Sequence, residues 1–308
     1  MKISNPHAVA ACAAMLLVFG CGKEPSVPAA APKAVQEKIP PYTYPAPVKG
    51  HVKEVNIGEF DLVDGIAYTP TVGSGTVVYV VSKPIASPLL ADAACPLTQA
   101  RSLAKLRNAS YAEVTLDAAG HSKYFAAGTP FDGGMGDLNP GAWSSTLKGD
   151  AGHVSGSVMH RRYGHFDFDL PLSTPKHDQI SWRDQDQGRK PSPTTPKPTA
   201  EAITAAYVAL HDTAQKKNLK AMLAALGFDA KQSEAIRGLD GIDADFMVFA
   251  DRFLTPGTTE DPSNRPGEGQ VRAEGAKADG RKFVNDYYFD LCGDKLILTH
   301  IAEQAWPK

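Results

Sequence analysis

Phe283-Val284-Asn285-Asp286-Tyr287-Tyr288-Phe289-Asp290-Leu291 reads as a strand with two distinct faces. Side chains alternate across a strand with period two, so Phe283, Tyr287, Phe289 and Leu291 share one face with Asn285, while Lys282, Asp286 and Asp290 take the other. An apolar face requires an apolar cover, and the candidates stand upstream. Thr199 can cap a helix whose stripe is Ile203, Ala206, Tyr207, Leu210 and Ala214. A second helix spans Leu219 to Leu226 and stops at Gly227, and Asp229 can cap a third. Ile242, Phe246, Phe249, Ala250 and Phe253 form the strongest apolar stripe of the chain, stopped by Pro256. With strands expected at Gln270–Ala276, Lys282–Leu291 and Lys295–Ala302, helices precede a curved antiparallel sheet, an α+β arrangement over 199–308.

Working back toward the N-terminus, residues 173–198 are rich in proline, glutamine, aspartate and threonine and read as a linker, with Trp182 as the one large apolar residue able to dock on a neighbour. Before it, residues 50–172 carry short β-prone runs separated by turn signals, at Val52–Ile57, Gly65–Tyr68, Thr76–Ser82, Tyr111–Leu116, His153–His160 and His165–Leu170. One helical interval interrupts them, Pro96–Asn108. This first domain is expected to be antiparallel and sandwich-like. Residues 22–49, with seven prolines, read as an extended tether.

Residues 199–308 resemble the NTF2-like, or SnoaL-like, fold. The resemblance rests on the helix order, on the Asn218-Leu219-Lys220-Ala221-Met222-Leu223 turn into the second helix and on the closing strands. It implies helices on the concave side of a curved sheet, enclosing a cone-shaped pocket. The family includes ketosteroid isomerases, polyketide cyclases and dehydratases beside members that only bind, so membership does not imply catalysis. Tyr207, His211, Asn285 and Tyr287 are the pocket candidates: Asn285 is a polar group on an apolar face, and His211 follows Tyr207 by one helical turn. Asp251 is the one partner considered for a His211 base. A cone filled by Phe246, Phe249 and Phe289 would instead favour a structural or partner-binding role.

The N-terminus carries a targeting pattern. Lys2 precedes an uncharged run from Ala8 to Gly20, too short for a bilayer span and suited to a signal peptide. Val18-Phe19-Gly20-Cys21 resembles a bacterial lipobox, which implies that 1–21 is a lipoprotein signal segment cut just before the cysteine, with acylation of Cys21 and a lipid anchor. Gly22 in place of an aspartate after the cysteine leans toward the outer membrane, facing the periplasm. Of four cysteines, Cys12 leaves with the signal and Cys21 takes the lipid. Export then places Cys95 and Cys292 where a disulfide and two separate buried thiols are both open readings.

The formal charge of −2 over 308 residues, without a basic stripe, argues against a nucleic-acid partner. His160 and His165 flank a hairpin turn, and with Asp167 they are the one set considered for Zn²⁺. They have no short fixed ligand spacing, so no metal is assigned and no cofactor is expected. Asp184-Gln185-Asp186-Gln187-Gly188 lacks the ligands of a calcium loop, and the glycines at 133–141 lack the lysine and helix of a phosphate cradle. The expectation is an envelope lipoprotein that binds a protein partner or a small apolar ligand without catalysis. The alternative is a small-molecule isomerase, cyclase or dehydratase using the cone pocket.

Overall fold

The computed structural model describes residues 39–54, 58–70, 75–131, 134–137, 143–150, 152–160, 163–182, 194–254, 269–276 and 282–305. The signal-like run, Cys21 and the tether up to residue 38 lie outside the described residues, as do the Asp184–Gly188 stretch and Pro256.

Strands β1 (Val48–Glu54), β2 (Gly58–Leu62), β3 (Asp64–Tyr68), β4 (Thr76–Val81), β5 (Tyr111–Leu116), β6 (Ser122–Gly128), β7 (Gly134–Asp137), β8 (Trp143–Gly149), β9 (His153–His160) and β10 (Gly164–Ser173) belong to one sheet. The expected sandwich is thus a single sheet that curls into a half-barrel, and β10 is the reason. Its first half pairs antiparallel with β1 from Gly164 to Phe168, β9 runs along its other edge, and its last residues, Leu172 and Ser173, pair in parallel with β3. One strand therefore belongs to both halves of the sheet. Val52, Leu62, Val80, Val114, Phe125, Val158, Phe166 and Phe168 converge inside the curl as one apolar cluster. On β10 the alternation is as read from the sequence: Phe166, Phe168 and Leu170 are buried, whereas His165, Asp167 and Asp169 are exposed.

Strand β4 is buried along its whole length, because its second face is also covered. Val78 and Val80 point into the curl, and Val77, Tyr79 and Val81 point into a second core with helices α1 (Ser87–Leu90) and α2 (Pro96–Leu106). A strand covered on both faces reads as the continuous run Thr-Val-Val-Tyr-Val-Val.

The second sheet contains β11 (Gln179–Ile180), β12 (Gln270–Ala276), β13 (Lys282–Cys292) and β14 (Lys295–Ala305), with β13 central. Helices α3 (Ala200–Gln215), α4 (Leu219–Ala225), α5 (Ala230–Arg237) and α6 (Ile242–Ala250) precede β12. Their starts follow local chemistry: the Thr199, Asn218 and Asp229 side chains accept from the amides of Ala202, Ala221 and Gln232, and Gln232 returns a capping-box bond to Asp229.

The packing does not confirm two separate domains. Tyr79 and Leu103 from the first half share one apolar cluster with Tyr207, Phe249 and Tyr287 from the second, and residues 39–308 form one compact unit. Helix α2 makes this possible by packing on both β3 and β14. A disulfide between Cys95, at the start of α2, and Cys292, at the end of β13, ties the same two regions covalently. Within the expected linker, Gln179 and Ile180 pair with Cys292 and Leu291, so this part is a strand. The expected tether also ends early: β1 begins at Val48, and before it the Tyr42 amide donates to the Gly238 carbonyl at 2.9 Å.

Candidate functional site

Tyr207, Asn285 and Tyr287 come together as the sequence suggested, but inside the core. Their relative exposures are 0%, 1% and 0%, which leaves no wall for a ligand. The Tyr287 hydroxyl donates to the Arg252 carbonyl at 2.5 Å and accepts from the Leu254 amide at 3.1 Å. Asn285 Nδ2 donates to the same Arg252 carbonyl at 2.9 Å, and the Tyr207 hydroxyl donates to the Leu254 carbonyl. These side chains thus satisfy the backbone where α6 ends, at the depth where an orphaned group would be costly. Burial pushes both phenols above the usual tyrosine range, and Tyr207 is pushed further by Tyr287. Neither is a proton donor near neutral pH.

His211 sits at the rim of this cluster, its ring centroid 6.2 Å from that of Tyr207. Asp251 does not serve it as a base partner. Its carboxylate points outward and pairs with Lys217 at 2.5 Å. Phe246, Phe249 and Phe289, buried in the same cluster, fill the space that a cone would enclose.

An open concavity lies elsewhere, where residues 39–46 cross the α5–α6 turn. This cleft of about 650 Å³ is lined chiefly by Ile39, Pro41, Tyr42, Tyr44, Leu239 and Ile242. Gly238 sets its back wall, for an added Cβ there would meet the Pro40 carbonyl oxygen at 2.5 Å and the Tyr42 nitrogen at 3.0 Å. Buried Arg107 holds the turn by donating to the Asp240 carbonyl at 2.8 Å and pairing with Asp245 at 3.1 Å, and Lys83 pairs with Asp245 at 2.7 Å.

At the inner edge of the cleft stands Asp64, 1% exposed. Its Oδ1 accepts from the Gly65 amide at 2.8 Å and from the Ser87 hydroxyl, and its Oδ2 accepts from the Ile85 amide at 2.6 Å and from the Tyr44 hydroxyl. The Tyr44 oxygen in turn accepts from the Ala86 amide at 2.7 Å, which fixes Ala86 in its left-handed conformation, φ 55°. Burial pushes the Asp64 carboxyl above the usual aspartate range, and the four donors oppose that shift. Each oxygen already takes two hydrogen bonds, so Asp64 anchors the strap and has no spare capacity as a base. The cleft is therefore a preformed apolar groove with fixed polar edges, suited to binding.

The histidines around the β9–β10 turn do not converge as a His160–His165–Asp167 set. His160 pairs with Gly164 and faces the opposite side of the sheet from His165, its ring stacked on Tyr163 at 4.4 Å. Among the described residues, no group of three or more His, Cys, Asp or Glu is arranged to hold a metal ion.

Sequence reading missed the cleft because its wall looked like tether. The available signal was Tyr42 and Tyr44, two aromatics among prolines, which a solvated spacer would not need. No family model matches the chain, and neither a curated protein nor a solved structure is found to be similar.

Proposed function

We propose that the chain is an envelope lipoprotein, acylated at Cys21 and anchored in the outer membrane facing the periplasm, whose folded part binds without catalysing a reaction. The observation that carries the binding reading is the preformed apolar cleft between residues 39–46 and the α5–α6 turn. The absence of catalysis is argued from the described polar clusters: the Tyr207 and Tyr287 hydroxyls and the Asn285 Nδ2 are sealed in the core and donate to backbone carbonyls, and Asp64 is committed to four donors. The phenylalanine filling beneath the helices favours a binding role over an NTF2-like isomerase, cyclase or dehydratase. The ligand that suits the cleft is a small, mainly apolar molecule, held beside the segment that continues toward the anchor.

The experiment is to purify the full chain from membranes in detergent, extract it with organic solvent and identify bound small molecules by mass spectrometry. A stoichiometric apolar compound is expected, lost in Ala244→Trp, which places an indole in the cleft from an exposed position. A chain equally occupied in that variant would contradict the reading. For the anchor, Cys21→Ala is expected to abolish metabolic labelling by palmitate and release the protein from membranes.

A further inference from the structure

The outer face of the curled sheet brings together residues that are far apart in sequence. Register pairs Met159 of β9 with His165 of β10, His165 with His51 of β1, and His51 with Asp61 of β2. One row across four strands therefore reads Met, His, His, Asp. All four alternate away from the apolar interior, since their neighbours Val158, Phe166, Val52 and Leu62 fill it. Side chains directly opposite on antiparallel strands have Cβ atoms about 5 Å apart, within reach of a shared ion.

We infer that His51 and His165 form a copper site, with the Met159 thioether as a weaker third ligand. The imidazole rings stand 6.0 Å apart, centroid to centroid, at 90°. A metal bonded at about 2.0 Å to each of two imidazole nitrogens lies about 3.2 Å from each centroid, which places the centroids about 5.2 Å apart for a tetrahedral angle and about 6.4 Å for a linear one. The observed separation falls between these limits, which is the spacing that a shared ion requires of the two rings.

The donor set selects the metal. Zinc favours at least three protein ligands in a tetrahedron, and among the described residues no third imidazole, thiolate or carboxylate is arranged to complete one. Cu(I) accepts two nitrogen ligands near linearity and welcomes a soft sulfur donor. Met159 supplies that donor: it is 52% exposed, one of the few large apolar side chains left in solvent, and its three rotatable bonds let the sulfur lean over His165. Asp61 beside His51 and Asp167 near His165 add negative charge, offset in part by Lys49 opposite Asp167. The sequence alone paired His165 with His160. A one-residue offset across the hairpin puts Met159 there instead, and β1 brings His51 from more than a hundred positions away.

The test uses the full chain with free thiols blocked by N-ethylmaleimide, titrated with Cu(I) against a bicinchoninate competitor under anaerobic conditions. One tight equivalent is expected, with sulfur and nitrogen ligands in the copper X-ray absorption spectrum. His51→Gln and His165→Gln are each expected to raise the dissociation constant more than about 100-fold, beyond the usual cost of losing a group that only orients a ligand. Met159→Leu is expected to raise it about tenfold and to remove the sulfur signal. His153→Gln, at the far end of β9 and paired with Asp169 at 3.3 Å, is the control and is expected to bind as the parent does. Undiminished Cu(I) binding in both His51→Gln and His165→Gln overturns the site. Loss in those two with an unchanged Met159→Leu overturns the thioether assignment. Circular dichroism of each variant separates loss of ligand from loss of fold.

Discussion

Two tyrosine-centred clusters differ in depth, Tyr44 half-buried and Tyr207 and Tyr287 fully buried, and they do opposite things. Tyr44 donates to a side chain, Asp64, and the pair pins the loop at Ile85–Ala86 while the far side of Tyr44 lines an open cleft. Tyr207 and Tyr287 donate to main-chain carbonyls at the end of α6 and are closed in by Phe253 and by each other, with ring centroids 4.6 Å apart. The difference shows why a polar residue on an apolar face is a poor guide to a binding site. What decides is whether its partner is needed to terminate a helix. In the second cluster it is, and burial leaves these side chains no wall to offer a ligand.

The Cys95–Cys292 bridge closes a loop of sequence separation 197 and ties α2 to β13, so removing it as the Cys95→Ser, Cys292→Ser pair is expected to cost about 5 kcal/mol by the chain-entropy argument, read from urea unfolding with and without reductant. Both clusters should then be lost in one transition, since they share a core. Two separated transitions would mean that the halves fold independently. Next, Asp64→Ala takes the acceptor from the Gly65 and Ile85 amides and from two hydroxyls, with an expected loss of about 3–4 kcal/mol.

Tyr287→Phe strands the Leu254 amide alone and is expected to cost about 1–2 kcal/mol, less than Asp64→Ala. A reversal of that order would place the anchoring charge in the wrong cluster. Gly238→Val drives a side chain into the Pro40 carbonyl and should detach the strap with a smaller effect on global unfolding, visible as faster amide exchange at Tyr42. Smallest of all, Asp251→Asn removes only an exposed pair with Lys217, and the thermal midpoint should not move.

The strands and helices with strong local signals were legible. β13 is a strand where it was read as one, Thr199 and Asp229 cap the helices where they should, and the α6 stripe is buried as read. Three things were hidden, each for its own reason. The half-barrel arises because β10 switches partners along its length, which no local pattern encodes. The second face of β13 looked solvated, yet Asp286 is buried against Arg272 in a two-point ion pair, at 2.7 and 2.9 Å. Strands β6, β7 and β8 carry glycine, serine and alanine where apolar alternation was sought, so they read as loop. At the candidate site, the sequence brought Tyr207, Asn285 and Tyr287 to one place correctly and left unstated which backbone groups they would meet.

The cleft beside residues 39–46 is open, whereas the floor beneath α6 is sealed. Titration of the full chain with the neutral fluorophore N-phenyl-1-naphthylamine, comparing the parent with Ala244→Trp and Tyr207→Phe, separates the two. Saturable fluorescence is expected for the parent, with its loss in Ala244→Trp and an unchanged titration in Tyr207→Phe. Retention in Ala244→Trp with loss in a folded Tyr207→Phe would contradict this assignment.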